Sequence, residues 1–226
     1  MPDDVLQLDA RGQFGKKGSA KVGKHTVLLA AENDQAGQAM GDVEGLCFHW
    51  SAGRRITAWD GYHGGVAASP DGLVPIVVQC LGWNQKGKHL WGRNGSYWGM
   101  SLFGCKDMGW AGDRRITWPG PEAPTPEMLE ALAVYAAEVC AWKNLDPRGS
   151  HEAPHLVRQG ERLVPSGRTI RMPNLSDHKD WAEKDGYASD RGDIGAYKAP
   201  LFARIVAVYT ELKANKRQFR HQALLK

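Results

Sequence analysis

Residues 124–140 read PTPEMLEALAVYAAEVC, a segment in which the periodicity and the end signals agree on one structure. Thr125 is a residue type that accepts hydrogen bonds from the first free N–H groups of a helix, and Pro126 suits the first helical position because its missing N–H is not needed there. Glu127 adds a negative charge where the helix dipole is positive. Leu129, Leu132, Ala133, Ala136, Val139 and Cys140 then recur at intervals of three and four. That spacing predicts a helix with one apolar face, which needs a sheet to pack on, and Pro147 and Gly149 stop it.

The candidate strands lie mostly upstream. Residues 45–50 (GLCFHW) are a short apolar and aromatic run closed by Ser51, Ala52 and Gly53, so His49 falls at a strand's end, where side chains commonly face a cleft. Residues 64–68 and 73–80 flank the turn Ser69-Pro70-Asp71-Gly72 and read as a hairpin following the run 56–63. A glycine- and tryptophan-rich loop over 81–96 leads to a further strand at 97–105. Within residues 1–40 only 25–31 (HTVLLAA) reads as an edge strand, and the rest reads as loop. Downstream, residues 149–173 form a basic insertion with no regular element assigned, and 200–216 form an amphipathic helix carrying Leu201, Ile205, Val208 and Leu212. Strands precede, separate and flank helices without a βαβ alternation. The expected fold is therefore α/β in a single domain, 1–226, with a mixed central β-sheet flanked by helices. It has an N-terminal extension (1–40), the insertion (149–173) and a basic tail (213–226).

The formal net charge is +4 with pI near 8.9, which suits a polyanionic partner but does not choose among cell-wall polymer, nucleic acid and acidic lipid. No run of eighteen apolar residues occurs, and the start MPDDVLQLDARG is acidic and polar. The expectation is a chain made in the cytoplasm, with no signal peptide and no stable membrane insertion. Cys47, Cys80, Cys105 and Cys140 are widely spaced in apolar surroundings and read as buried reduced thiols.

Chemistry concentrates in residues 174–195, NLSDHKDWAEKDGYASDRGDIG. His178 can ligate a metal through an imidazole nitrogen and Asp193 can supply a carboxylate oxygen, both within zinc's ligand set. Arg191, two residues before Asp193, would point to the same side in an extended segment and could meet a negative oxygen there. A third ligand must come from elsewhere. The competing reading of such a pair is a loop histidine and a turn-stabilising aspartate.

Six local patterns, in order, resemble the zinc-dependent N-acetylmuramoyl-L-alanine amidases, above all bacteriophage endolysins and the related peptidoglycan recognition proteins. They are CFHWSAG around His49, GYH at 61–63, HLWGRNGSYWGMSLFG at 89–104, PTPEMLEALAVY, SDHKDWA at 176–182 and RGDIG at 191–195. The resemblance implies an amidase-like fold. It also implies Zn2+ held by His49, His178 and Asp193, with an open fourth position for water. Tyr62 would orient or deprotonate that water, and Arg191 would stabilise the oxyanion. His89 and Asn94 would hold glycan or stem peptide, with Trp50 and Trp91 as aromatic floors. Taken alone, Tyr62 reads more readily as a hairpin packing residue, and only the adjacent His63 and the hairpin context bring the catalytic reading level with it; the tryptophans read more readily as core residues, and His63 as a packing residue or one supporting the site from behind.

Three departures stand out. No helix separates His49 from Tyr62, the interval from His178 to Asp193 is long, and Ser101 stands where some members carry an acid. The long interval keeps His151 and His155 open as alternatives to His178. The implied function is hydrolysis of the amide between N-acetylmuramic acid and L-alanine of bacterial peptidoglycan, by a monomeric phage lytic enzyme. Two rival readings are a non-catalytic peptidoglycan-binding module and a basic nucleic-acid-binding protein.

Overall fold

The structure is a computed structural model, and it describes residues 6–14, 18–31, 38–106, 109–110, 116–118, 120–186, 194–215 and 219–225. In chain order the elements are β1 (Leu6–Asp9), β2 (Gly18–Val22), β3 (His25–Ala30), β4 (Gly45–Trp50), β5 (Thr57–Trp59), β6 (Gly64–Ala68), β7 (Pro75–Gln79) and β8 (Tyr97–Leu102). Two short strands follow, β9 (Gly109–Trp110) and β10 (Ile116–Trp118), then α1 (Pro126–Trp142). The chain continues through β11 (Ser150–Gln159), β12 (Arg162–Pro173), β13 (Leu175–Asp177), α2 (His178–Asp185), a 3-10 turn (Gly195–Tyr197) and α3 (Lys198–Asn215).

A six-stranded sheet in the order β1-β7-β6-β8-β4-β13 forms the centre. Every neighbouring pair in it is parallel except the β6–β7 hairpin, whose tight turn has Gly72 at φ 76°. Side chains alternate between its faces. Leu46, Phe48 and Trp50 of β4, Val66 of β6, Val77 of β7, and Trp98, Met100 and Leu102 of β8 join the core built with α1 and α3. Thr125 caps α1 as its residue type predicts, accepting from the Met128 N–H at 3.3 Å. Arg204 of α3 grips Glu130 of α1 with two hydrogen bonds of 2.8 and 2.7 Å, which fastens the outer helix to the inner one. The opposite face carries Ala67, Ile76, Val78 and Phe103, which pack on the three-stranded sheet β2-β3-β5. The expected mixed sheet flanked by helices is the observed architecture.

Two expectations need correction. Among the described residues of 1–40, strands are not confined to 25–30: β1 adds a parallel strand beside β7, and β2 pairs with β3. The four-residue run LQLD is too short to signal a strand alone, and partners far along the chain stabilise it. The insertion is not irregular either, because β11 and β12 pair as a long antiparallel ribbon with a register shift between Pro154 and Leu156. Only Ala153, Leu156 and Met172 of the ribbon are buried, so its apolar period is too sparse to read, and three prolines mask it further.

Candidate metal centre

The helix-covered face takes the even residues of β4, so Cys47 and His49 lie on the other face, at the strand's C-terminal end. Next to β4 runs β13, in parallel, with Asp177 opposite Phe48. One residue further along each strand stand His178 and His49. Their rings meet edge to face with centroids 4.6 Å apart and planes at 82°. Helix α2 begins at His178 because Asp177 and Asp180 form a capping box: each carboxylate accepts the other's backbone N–H, both at 3.0 Å. Lys198 of α3 bridges both carboxylates. Burial, and then the neighbouring Asp180, push the Asp177 carboxyl up, with Lys198 opposing. The first turn that carries His178 is thus fixed from three sides.

Tyr62 stands on the other flank of His49, ring centroids 5.1 Å apart, with its hydroxyl donating to the Trp50 carbonyl at 3.4 Å. His89 completes the group from the loop before β8. Its Nδ1 is 3.1 Å from His49 Nε2, and its Nε2 is 3.0 Å from the Tyr97 carbonyl oxygen. The ring lies over Gly99 of β8, where a Cβ would sit 2.6 Å from the imidazole Cγ, so the bare backbone is what admits it. Behind it His63, fully buried, accepts from the Gly99 N–H at Nδ1 (3.0 Å) and donates from Nε2 to the Gln85 carbonyl (2.9 Å). With one nitrogen accepting and the other donating, His63 is a neutral imidazole.

Burial holds the His63 pKa down to about 3, with the neighbouring His49 acting the same way, and burial first and then His49 and His63 hold His89 well below 6.5. Since both folded values lie below the unfolded one, the unfolded chain takes up protons first as pH falls. The stability that these two neutral histidines contribute to the metal-free protein is therefore fully present above pH 6.5 and is lost as pH drops toward 3, outweighing the single Asp177 carboxyl, whose raised pKa acts in the opposite sense. The slope approaches about 1.4 kcal/mol per pH unit for each histidine. Urea unfolding at about pH 7, 6 and 5 checks this; a midpoint that does not move would refute it.

The other expected site residues are distributed as follows. Asn94 Oδ1 accepts from the backbone N–H groups of His89 (3.0 Å) and Leu90 (2.7 Å), so it shapes the loop that presents His89. Trp91 is 45% exposed, with the Arg158 guanidinium of the ribbon 5.7 Å from its ring centroid. Trp50 is buried in the helix-side core, on the face opposite His49. Arg191 and Asp193 lie outside the described residues. Of the alternative ligands, His151 is engaged at both nitrogens, by the Tyr97 hydroxyl and by Asn174 Oδ1 (2.8 Å). His155 is on the ribbon with Ser166 Oγ at 2.8 Å.

What the sequence reading did not foresee is Cys47, whose thiol belongs with His49 and His89 to a buried group with ligand atoms all within 4.8 Å of one another. The signal was available: residues 47 and 49 are two apart on a strand and share a face. Imidazole nitrogens from His49 and His178, with a carboxylate or thiolate to join them, are the donor set zinc selects, and nothing about these residues conflicts with it. Among the described residues no helix is long and apolar enough to cross a membrane.

Compared with known proteins, the chain matches no family model and no curated protein sequence. Among solved structures it is similar to that of the Staphylococcus aureus hydrolase AmiA in complex with its ligand. The TM-score is 0.49 at 14% sequence identity, covering 84% of this chain and 87% of that one.

Proposed function

We propose that this protein is a zinc-dependent N-acetylmuramoyl-L-alanine amidase. It would hydrolyse the amide between N-acetylmuramic acid and L-alanine in bacterial peptidoglycan and act as a monomeric phage lytic enzyme that reaches the wall from the host cytoplasm. One observation carries the reading: His49 and His178, far apart in the chain, meet with ring centroids 4.6 Å apart at the C-terminal ends of adjacent parallel strands. The ordered sequence patterns supply the reaction class, and the ring contact supports the metal-ligand role they imply for these two histidines.

His49 and His178 hold the ion through neutral nitrogens, and Asp193 is assigned as the third ligand from the RGDIG pattern. The ion supplies Lewis acidity to the scissile carbonyl and makes water acidic enough to attack near pH 7. Tyr62, against the His49 ring, is assigned to orient the attacking water with its hydroxyl. Arg191 is assigned to the negative charge that develops on the carbonyl oxygen, a contribution of about 3 kcal/mol to the barrier. Trp91, exposed beside Arg158, is the aromatic surface for the glycan or its stem peptide.

The test is digestion of purified peptidoglycan followed by mass analysis. Stem peptides released with a free L-alanine amino terminus by the wild type, and not by His178→Ala, are expected. Release of reducing sugar ends without such peptides overturns the assignment in favour of a glycosidase.

A further inference from the structure

We propose that His89 is a positioning residue: its ring accepts the Nε2 hydrogen of His49 and so presents the Nδ1 lone pair of His49 to the metal. The inference rests on the zinc reading above for the identity of the metal, but the hydrogen-bond argument is independent of it. A carbonyl oxygen can only accept. Because His89 Nε2 lies 3.0 Å from the Tyr97 oxygen, that nitrogen carries the hydrogen. A neutral imidazole with its hydrogen on Nε2 keeps its lone pair on Nδ1. That lone pair faces His49 Nε2 at 3.1 Å. Two lone pairs do not face each other across a hydrogen-bond distance without a cation between them, so His49 Nε2 is the donor. A metal ligand must be a neutral imidazole, and with Nε2 protonated the coordinating nitrogen is Nδ1.

The surroundings of His89 hold it to this task. Gly99 gives its ring a floor without a Cβ, and His63 grips Gly99 through its N–H, while Gly99 accepts in return from the His63 N–H at 2.9 Å. Asn94 holds the His89 backbone. At 6% relative exposure the residue is shut away from solvent, and its two ring nitrogens are directed at Tyr97 and His49. A different use of the same atoms is a closed metal site made by Cys47, His49 and His89, in which both facing nitrogens would be ligands. The two arrangements make opposite demands on Cys47 and on the hydrogen at His49 Nε2.

The experiment has two arms. Long-range proton–nitrogen correlation spectra of the metal-free wild type are expected to show His89 protonated at Nε2 only and His49 at Nε2 only. Zinc affinity is then measured by competition with a chromogenic chelator. His89→Ala is expected to weaken zinc binding about 10- to 100-fold, the usual effect of losing a partner behind a metal-bound histidine. His89→Gln, whose amide oxygen accepts the same hydrogen, should recover most of that loss, and Cys47→Ala should change affinity by less than about twofold. Cys47→Ala weakening zinc as much as His89→Ala overturns the proposal in favour of the closed site. Unprotonated His49 Nε2 in the spectra, or full affinity in His89→Ala, also overturns it. Failure of the zinc-amidase reading looks different: His178→Ala would then bind zinc like the wild type, whatever His89 does.

Discussion

His178→Ala is expected to lose stoichiometric zinc and to lower amidase kcat/KM by at least about 10³-fold, while leaving the fold standing. The loss should match or exceed that from deleting a single oxyanion donor, typically 10²–10³-fold, because the whole Lewis acid goes with the ligand. The fold survives because His178 is half-buried at the first position of α2, and the Asp177–Asp180 capping box with its Lys198 bridge starts that helix without the imidazole. Metal content after dialysis, release of free amino-terminal L-alanine and a thermal melt together check the point. His155→Ala is the companion variant: its half-buried ring is paired with Ser166 on the ribbon, so zinc and activity should persist. Loss of zinc in His155→Ala with retention in His178→Ala would transfer the ligand role to the ribbon and undo the proposed centre.

The second large effect is on stability. Arg93 and Asp185 form a buried ion pair, with one guanidinium nitrogen 2.9 and 2.8 Å from the two carboxylate oxygens and side-chain exposures of 5% and 0%. Arg93 also donates to the Pro154 carbonyl at 2.6 Å and lies 4.1 Å from the Trp181 ring centroid, while Asp185 accepts from the Leu156 N–H at 2.9 Å. One side-chain pair therefore joins the loop before β8, the ribbon and the end of α2. Arg93→Met leaves the carboxylate buried without its cation, which costs about 3–5 kcal/mol. For a chain of this size the Tm should fall by roughly 6–20 °C. Adding Asp185→Asn removes the unpaired charge while keeping an acceptor for Leu156, so the double variant should be more stable than Arg93→Met alone. Additive losses would show that the charges do not interact.

These two sites also show what is legible in the sequence. Local signals, each contained within one or two turns of chain, determined helix α1 with its Thr125 cap, the β6–β7 hairpin with its Ser69–Gly72 turn, and the strand carrying His49. The ordered patterns around His49, Tyr62 and His178 pointed to one centre, and the structure brings those three side chains together. The resemblance implies Trp50 as an aromatic floor for sugar or peptide, but it follows His49 directly on a strand, so it points to the opposite face, where it is buried in the helix-side core. The Arg93–Asp185 pair spans 92 positions and carries no local pattern at all.

What the sequence determined by itself is therefore the set of elements and the residue types able to do chemistry. Only the tertiary structure decided which of them meet. The parallel register of β13 on β4 sets His178 beside His49, and the missing Cβ of Gly99 lets His89 approach from behind. Register and close packing depend on partners distant in the chain, and no short-range preference encodes them.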